Sequence, residues 1–372
     1  MARVAMAMSG GVDSSVAAAL LKQQGHEVIG LHLKLYHGAE QDSRPKSCCS
    51  LDEAMDARAV CHRLEIPFYV LDVQEEFRSE VIDYFIREYQ DGRTPNPCVM
   101  CNRTIKSRYL LKKADELDCE LLATGHYARS QQESGSGDWA LARPADLRKD
   151  QTYFLWGVER ESLPRLCFPL ADHVKPRVRR MASELDFAAA DKPDSQEVCF
   201  VPRDYRQFLA AELPETPEPG EFVDTEGKVL GTHQGLPYYT VGQRRGLGVS
   251  AATPYYVVRL DREHNQVVLG KETDLASQTV LISGVNWVSV APPEQPLRVT
   301  AKLRYSHSGT PATLHPGHDG TATVMLDEPV RAVAPGQAAA FYDRDVLLGG
   351  GWIEDSSSEF RTPVGAGFKP TR

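Results

Sequence analysis

Residues 8–15, MSGGVDSS, leave the chain little choice of local structure. They follow ARVAMAM (2–8), an apolar run of strand length, and lead into a segment where Val12, Val16 and Leu20, with Ala17 and Leu21, recur at helical spacing up to Gly25. A buried strand must turn into a helix within a few residues, and Gly10 and Gly11 let the backbone do so while staying close to a ligand. Ser9, Ser14 and Ser15 place hydroxyls beside a helix N-terminus, where partial positive charge favours an anion. The spacing is neither that of the Walker loop nor GxGxxG, so an ordinary kinase or dinucleotide fold is not expected. The rhythm continues with a strand EVIGLHLKL (27–35) and a helix opened by a Ser50–Glu53 capping box, with Leu51, Met55, Val60 and Leu64 inward. A strand FYVLDV (68–73), an amphipathic helix over 75–90 and a strand ELLATGHYA (120–128) follow. Strands alternating with helices predict an α/β fold with a doubly wound parallel sheet, whose ligands lie at the carboxyl ends of the strands.

At 372 residues the chain exceeds one ordinary core. Beyond about residue 205, Pro214, Pro217, Pro219 and Gly220 mark a linker, and short alternating strands replace helices. The expected domains are 1–209, catalytic; 210–275, small and β-rich; and 276–372, a β-barrel. No apolar run reaches the roughly 20 residues that span a bilayer, and the start lacks a signal-peptide pattern, so a cytoplasmic enzyme without a membrane partner is expected. A net charge of −9 argues against nucleic acid only if charge is spread evenly. It is not: Arg103, Lys106, Arg108, Lys112 and Lys113 form one basic run, and Lys175, Arg177, Arg179 and Arg180 another, both suited to a phosphate backbone.

Eight cysteines in a large chain of this kind argue against a disulfide scaffold. Cys61, Cys119 and Cys167 read as small buried hydrophobes. Cys98 and Cys101, in TPNPCVMCNRTIK (94–106), form a CxxC, but a structural zinc wants four ligands and Cys48 with Cys49 would complete them only in cramped geometry.

SGGVDSS closely resembles the pyrophosphate loop (PP-loop) of the ATP-pyrophosphatase superfamily, whose members adenylate a carbonyl oxygen and release pyrophosphate. With GLHLKL (30–35), TPNPCVMCNRTIK, ATGHYAR (123–129), KDQTYFLW (149–156), DSQEVCFV (194–201), GQRRGLGV (242–249) and LRYSH (303–307) in this order, nearly the whole chain resembles the bacterial tRNA-specific 2-thiouridylase family. The resemblance implies ATP-dependent 2-thiolation of a wobble uridine in tRNA, through adenylation of the uracil 2-oxygen and sulfur transfer from a cysteine persulfide. It implies ATP, and magnesium with Asp13 as a contact, at Ala7, Met8, Ser9, Gly10, Gly11, Val12, Asp13 and Ser14, flanked by Leu33 and Gly125. Cys199 would carry the persulfide, delivered by a cysteine desulfurase or a sulfur-relay carrier, and Cys101 would be its partner nucleophile. Two routes stay open: direct attack by the persulfide, or release of hydrosulfide by Cys101. Asn96, Pro97 and Cys98 would line the target-base pocket, and His126, Lys149, Asp150, Gln151, Arg304, Tyr305 and Gln337 would contact tRNA. Some members of the family carry an acid where this chain has Cys98. Three thiols at one site would suit an iron–sulfur cluster using exogenous sulfide, which is the alternative to the persulfide. An amide-forming ATP pyrophosphatase, the other enzymatic reading, has no need of Cys101 and Cys199.

Overall fold

The computed structural model describes residues 1–36, 51–133, 137–192, 198–201, 204–250 and 252–357. Cys48, Cys49 and Ser50 lie outside the described residues. The chain forms two compact units: Met1–Ile82, Cys98–Arg203 and Asp345–Leu347 make the first, and Asp83–Pro97, Asp204–Arg344 and Leu348–Arg372 the second.

The first unit is built on a five-stranded parallel sheet. Strand β1 (Arg3–Ala7) is central, with β2 (Glu27–Lys34) and β3 (Phe68–Asp72) on one side and β4 (Leu121–Ala123) and the short strand Leu166–Cys167 on the other. Val4, Ala5 and Met6 of β1 are fully buried, and helix α1 (Val12–Gln23) packs Val16, Ala17 and Leu21 into the same core. Each such large apolar side chain contributes roughly 2 kcal/mol by leaving water. The sheet is wound outward in both directions from β1, so the switch point lies between β1 and β4, and the loops after these two strands flank the place where such sheets hold ligands.

Two elements depart from the expectation. In helix α2 (Leu51–Arg63) the inward face is Ala57, Val60 and Cys61, whereas Met55 is 61% exposed, because the apolar stripe of this short helix is narrower than its apolar content. The strand over 120–128 is only three residues long. One further amide, that of Thr124, still bonds Cys167 O at 3.1 Å, but the chain then leaves the sheet.

The second unit contains a four-stranded sheet, Gly220–Asp224, Val229–His233, Tyr256–Asp261 and Gln266–Gly270, with a core of Phe222, Val257, Val267 and Leu269. It also contains a closed six-stranded antiparallel barrel: Ala276–Asn286, Leu297–Lys302, Thr310–Pro316, Ala322–Arg331, Ala338–Asp343 and the strand that ends at Ser357, which pairs back onto the first. The helix Asp83–Gln90 and the turn through Pro97 group with this unit, through the Phe85–Phe208 edge contact at 5.9 Å and the stacked Tyr89–Tyr205 rings at 4.8 Å. No helix among the described residues is long and apolar enough to cross a membrane.

Candidate active site

The loop after β1 is pre-folded by its own serines. Ser14 Oγ donates to Gly11 O at 3.1 Å and accepts from Ser9 N–H at 3.2 Å, Ser15 Oγ donates to Gly11 O at 2.9 Å, and Ser9 Oγ accepts from Gly11 N–H at 3.3 Å. Buried His32 on β2 holds the loop entrance through Nδ1 and Met8 O, 2.8 Å apart, and burial lowers its pKa. Leu33, next along β2, is half-buried. Gly125, after β4, lies so close that a Cβ there would sit 2.8 Å from Ser14 N and 3.0 Å from Asp13 C. That approach admits only glycine, which brings the loops after β1 and β4 together. Gly125→Ala is therefore expected to push the phosphate loop aside and weaken ATP binding about tenfold or more with little change in tRNA affinity, as titration calorimetry would measure.

Asp13, in the first turn of α1, is fully engaged. Lys175 Nζ lies 2.8 and 2.7 Å from its two carboxylate oxygens, and Tyr127 OH donates to Oδ1 at 3.0 Å. Lys175 is buried, its side chain only 8% exposed; its ammonium also lies 5.8 Å from the Tyr127 ring centre, and its backbone N–H donates to the buried carboxylate of Asp146 at 2.9 Å. Of the run 175–180, Lys175 thus folds inward while Arg177 and Arg180 stay exposed. Arg179 donates to the carbonyls of Ala190 and Lys192, and Arg177 pairs with Glu184. The pattern of charges along the sequence did not distinguish cations that fold inward.

Cys101 is buried at the start of a π-helix, Cys101–Tyr109, that continues the turn Pro97–Met100. Such wide turns mark functional sites more often than regular helix does. With i→i+5 bonding, Lys106 falls on the face of Cys101, a juxtaposition an α-helix would not give. Asn102 donates through Nδ2 to Phe154 O at 3.0 Å and ties the helix to the turn Thr152–Phe154, while its buried Oδ1 has no partner among the described groups. Cys98 is exposed. Cys199 is partly buried beside Phe200, whose ring packs edge-on against Phe77 at 5.7 Å. The six described cysteines are free thiols, and burial raises Cys61 to about 12 and Cys167 to about 11, with Cys119 also raised. Those three are inert packing thiols, as the sequence suggested. Among the described residues no three His, Cys, Asp or Glu side chains are gathered to hold a metal, so Cys98, Cys101 and Cys199 do not converge as a cluster would require.

His126 follows Gly125, with Nδ1 2.8 Å from Thr124 Oγ1 and its ring edge-on to Phe168. Burial pulls its pKa to about 3, with the charge of Lys106 acting in the same direction, so it is neutral at working pH. Because the unfolded chain binds this proton near the usual value of about 6.5, stability is full above that pH and falls as pH drops toward 3. At pH 5 the loss should be about 2 kcal/mol, and His126→Asn should flatten the pH dependence of urea denaturation between pH 7 and 5.

The residues expected to meet tRNA divide into exposed and engaged groups. In the 149–151 turn, Asp150 is buried and accepts from Thr152 N–H at 2.9 Å and Oγ1 at 2.5 Å, so it shapes the turn. Gln151 Oε1 accepts from Tyr127 N–H at 2.8 Å, which locks this turn to the strand end beside the phosphate loop. Lys149 closes the preceding 3-10 turn and is half-buried. Arg304 and Tyr305 sit in a turn beyond the barrel strand Leu297–Lys302; Arg304 donates to Arg331 O, and Tyr305 is 45% exposed under Lys302 Nζ. Asn96 and Pro97 are buried, and Gln337 Nε2 donates to Thr94 O and Pro95 O.

Residues 2–203 match the family model described as "tRNA methyl transferase HUP domain", 206–271 "tRNA methyl transferase PRC-barrel domain" and 277–353 "Aminomethyltransferase beta-barrel domain". The tRNA-specific 2-thiouridylase MnmA of Heliobacterium modesticaldum is 48% identical over 353 residues, covering 94% of this chain and 92% of its own. That of Halothermothrix orenii is 46% identical over 96% of this chain and 100% of its own. Among solved structures, a 4-thiouridine synthetase–RNA complex with bound ATP is similar at 17% identity and a TM-score of 0.36, over 57% of this chain and 50% of that one. Sequence identity of this order along nearly the full length of such relatives places the chain in the tRNA-specific 2-thiouridylase family.

Proposed function

We propose that the protein replaces the 2-oxygen of a wobble uridine in tRNA by sulfur, at the expense of ATP. The observation that carries this reading is that one unit holds both a pre-folded phosphate loop at the sheet's switch point and the two free thiols Cys101 and Cys199. The first matching model bears a methyltransferase name, yet methyl transfer uses neither a triphosphate loop nor a pair of thiols. Residues 7–14 with Leu33 and Gly125 would hold ATP; Asn96, Pro97 and Cys98 would receive the base, an anticodon-loop uridine being easier to unstack than a duplex one. His126, Lys149, Gln151, Arg304 and Tyr305 would meet the RNA, and Asp150 would shape the turn that carries Lys149 and Gln151. The regions 1–209, 210–275 and 276–372 would act as catalytic, central and tRNA-holding domains.

In the chemistry, the uracil 2-oxygen attacks the α-phosphorus of ATP and pyrophosphate leaves. The terminal sulfur of a Cys199 persulfide attacks C2, and AMP departs with the oxygen. Cys101 thiolate then attacks Cys199 Sγ, which frees the 2-thio base and leaves a Cys101–Cys199 disulfide for a thiol reductant to reopen. If Cys101 attacks first, hydrosulfide is released and becomes the nucleophile at C2; the disulfide is the same. Neutral His126 would accompany the base as a hydrogen-bonding group without adding charge. The persulfide would come from a cysteine desulfurase or relay carrier, in the cytoplasm with the tRNA. A magnesium ion finds no preformed ligand set among the described residues, since Asp13 is held by Lys175. The same holds for an iron–sulfur cluster. Incubating the protein with ATP, magnesium, a persulfide donor and unmodified tRNA should yield 2-thiouridine and pyrophosphate in equal amounts; pyrophosphate without thiolated nucleoside, or neither, would reject the assignment.

A further inference from the structure

The turn that carries Asn96 and Pro97 is held to the barrel by bonds from both its backbone and its flanking side chain. Thr94 N–H donates to Pro335 O at 2.7 Å, and Gln337 Nε2 donates to both Thr94 O, at 3.0 Å, and Pro95 O, at 3.1 Å. One residue earlier, Arg93 bonds Glu88 at 2.8 Å through Nε, Glu354 at 2.6 Å through Nη1 and Ile353 O at 3.3 Å through Nη2, with every side chain of this triad at most 24% exposed. Gly336 closes the arrangement: its φ of +86° is a left-handed value, and a Cβ there would sit 2.9 Å from Thr94 N and 3.0 Å from Arg93 Cβ. Its N–H donates to Ile353 O, and Gln337 O accepts from Ile353 N–H. The turn Pro335–Gln337, just before the barrel strand Ala338–Asp343, and the strand that carries Ile353 and Glu354 thus grip residues 93–95 immediately before Asn96, and the chain runs on from there into the Cys98–Cys101 turn.

We propose that Gln337 and Arg93 are positioning residues of the target-base turn, and that the barrel fixes where Asn96 and Pro97 present themselves. This rests on the reading that these two residues meet the base. The side-chain amide of Gln337, expected to touch tRNA, has its N–H donors committed to two backbone carbonyls. A glutamate in its place has no donor and sets a carboxylate against both oxygens, while a methionine keeps the length and removes the bonds. Arg93 cannot be truncated as cleanly, because its loss leaves Glu88, already raised by burial, beside Glu354.

The test compares Gln337→Glu, Gln337→Met and wild type in four measurements on the full-length protein: thermal unfolding, amide hydrogen exchange at Thr94 and Asn96, tRNA affinity by fluorescence anisotropy, and single-turnover thiolation. The expected result is exchange at these amides at least tenfold faster, thiolation roughly 10- to 100-fold slower because a misplaced reactant forfeits that much, tRNA affinity within about twofold and an unfolding midpoint lowered by only a few degrees, as the loss of two hydrogen bonds requires. A merely structural role would speed exchange across the whole barrel and leave the rate per folded molecule unchanged. Gly336→Ala, which crowds the same turn without altering a side chain that could reach RNA, should reproduce the exchange and rate effects. Weaker tRNA binding with unchanged exchange in both Gln337 variants would overturn the proposal in favour of direct RNA contact; no change in exchange, affinity or rate would overturn it outright. If wild type forms no 2-thiouridine, the functional reading fails, yet the exchange comparison still decides whether the barrel holds the turn.

Discussion

Cys101→Ser and Cys199→Ser should each lower thiolation by roughly 10³-fold or more, as expected when one member of a covalent relay is removed. Both variants should still release pyrophosphate in the presence of tRNA, because adenylation needs the phosphate loop and the base but neither sulfur. They should differ from each other in loading. Cys199→Ser should gain no sulfur from a persulfide donor, whereas Cys101→Ser should accumulate a persulfide on Cys199, visible in intact-protein mass spectra as one added sulfur that a thiol reductant removes. Serine is close in volume to cysteine, so the buried environment of Cys101 changes little and folding should be preserved. Cys98→Ser should have a far smaller effect, since Cys98 is exposed and not gathered with the other two into a metal-binding group. Full activity of Cys101→Ser, or loss of pyrophosphate release in either cysteine variant, would sink the division of roles. A Cys98→Ser variant as inactive as Cys101→Ser would restore an obligatory third thiol.

Local signals carried the architecture of the first unit. The strand, glycine turn and helix around SGGVDSS appear where apolar periodicity puts them, and the parallel sheet follows from strands separated by helices. The barrel was also legible, because short alternating runs with Gly and Asp turns allow little else. What the spacing could not convey is contact between distant segments. Lys175 meets Asp13 across 162 positions, and nothing near Lys175 marks it as inward rather than part of a solvated basic face. Residues 83–97 read as a continuation of the catalytic half, yet Phe85, Tyr89 and Arg93 find their partners at Phe208, Tyr205 and Glu354. The π-helix at Cys101 leaves no mark in the sequence, since its amino acids differ from those of an α-helix in no local way and only the backbone bonding changes the face on which Lys106 lies. Met55 illustrates the converse: an apolar residue at a suitable spacing stays outside because smaller Ala57 and Cys61 fill the space against the sheet.

Lys175→Met should be the most informative change outside the thiols. It removes the cation that both oxygens of Asp13 face and leaves that carboxylate with the hydrogen bond from the Tyr127 hydroxyl. Stripping one partner from a largely buried ion pair destabilises strongly; here Asp13 retains 32% side-chain exposure, so water offsets part of the loss and about 2 kcal/mol is expected, read as a lowered urea midpoint with an unchanged slope. Adding Asp13→Asn removes the orphaned charge and should recover most of that stability. Binding should behave differently. An ammonium has three donors, and at 2.7 Å from a residue of the phosphate loop Lys175 is placed to turn one of them toward a triphosphate while keeping Asp13. ATP affinity should therefore fall at least tenfold in Lys175→Met and stay low in the double variant, AMP affinity should change little because it lacks the β- and γ-phosphates, and Lys175→Arg should recover part of the loss. Equal loss of ATP and AMP affinity would mean that Lys175 only braces the loop. Recovery of ATP affinity together with stability in the double variant would mean the same, because the pair would then matter for its fold and not for its charge.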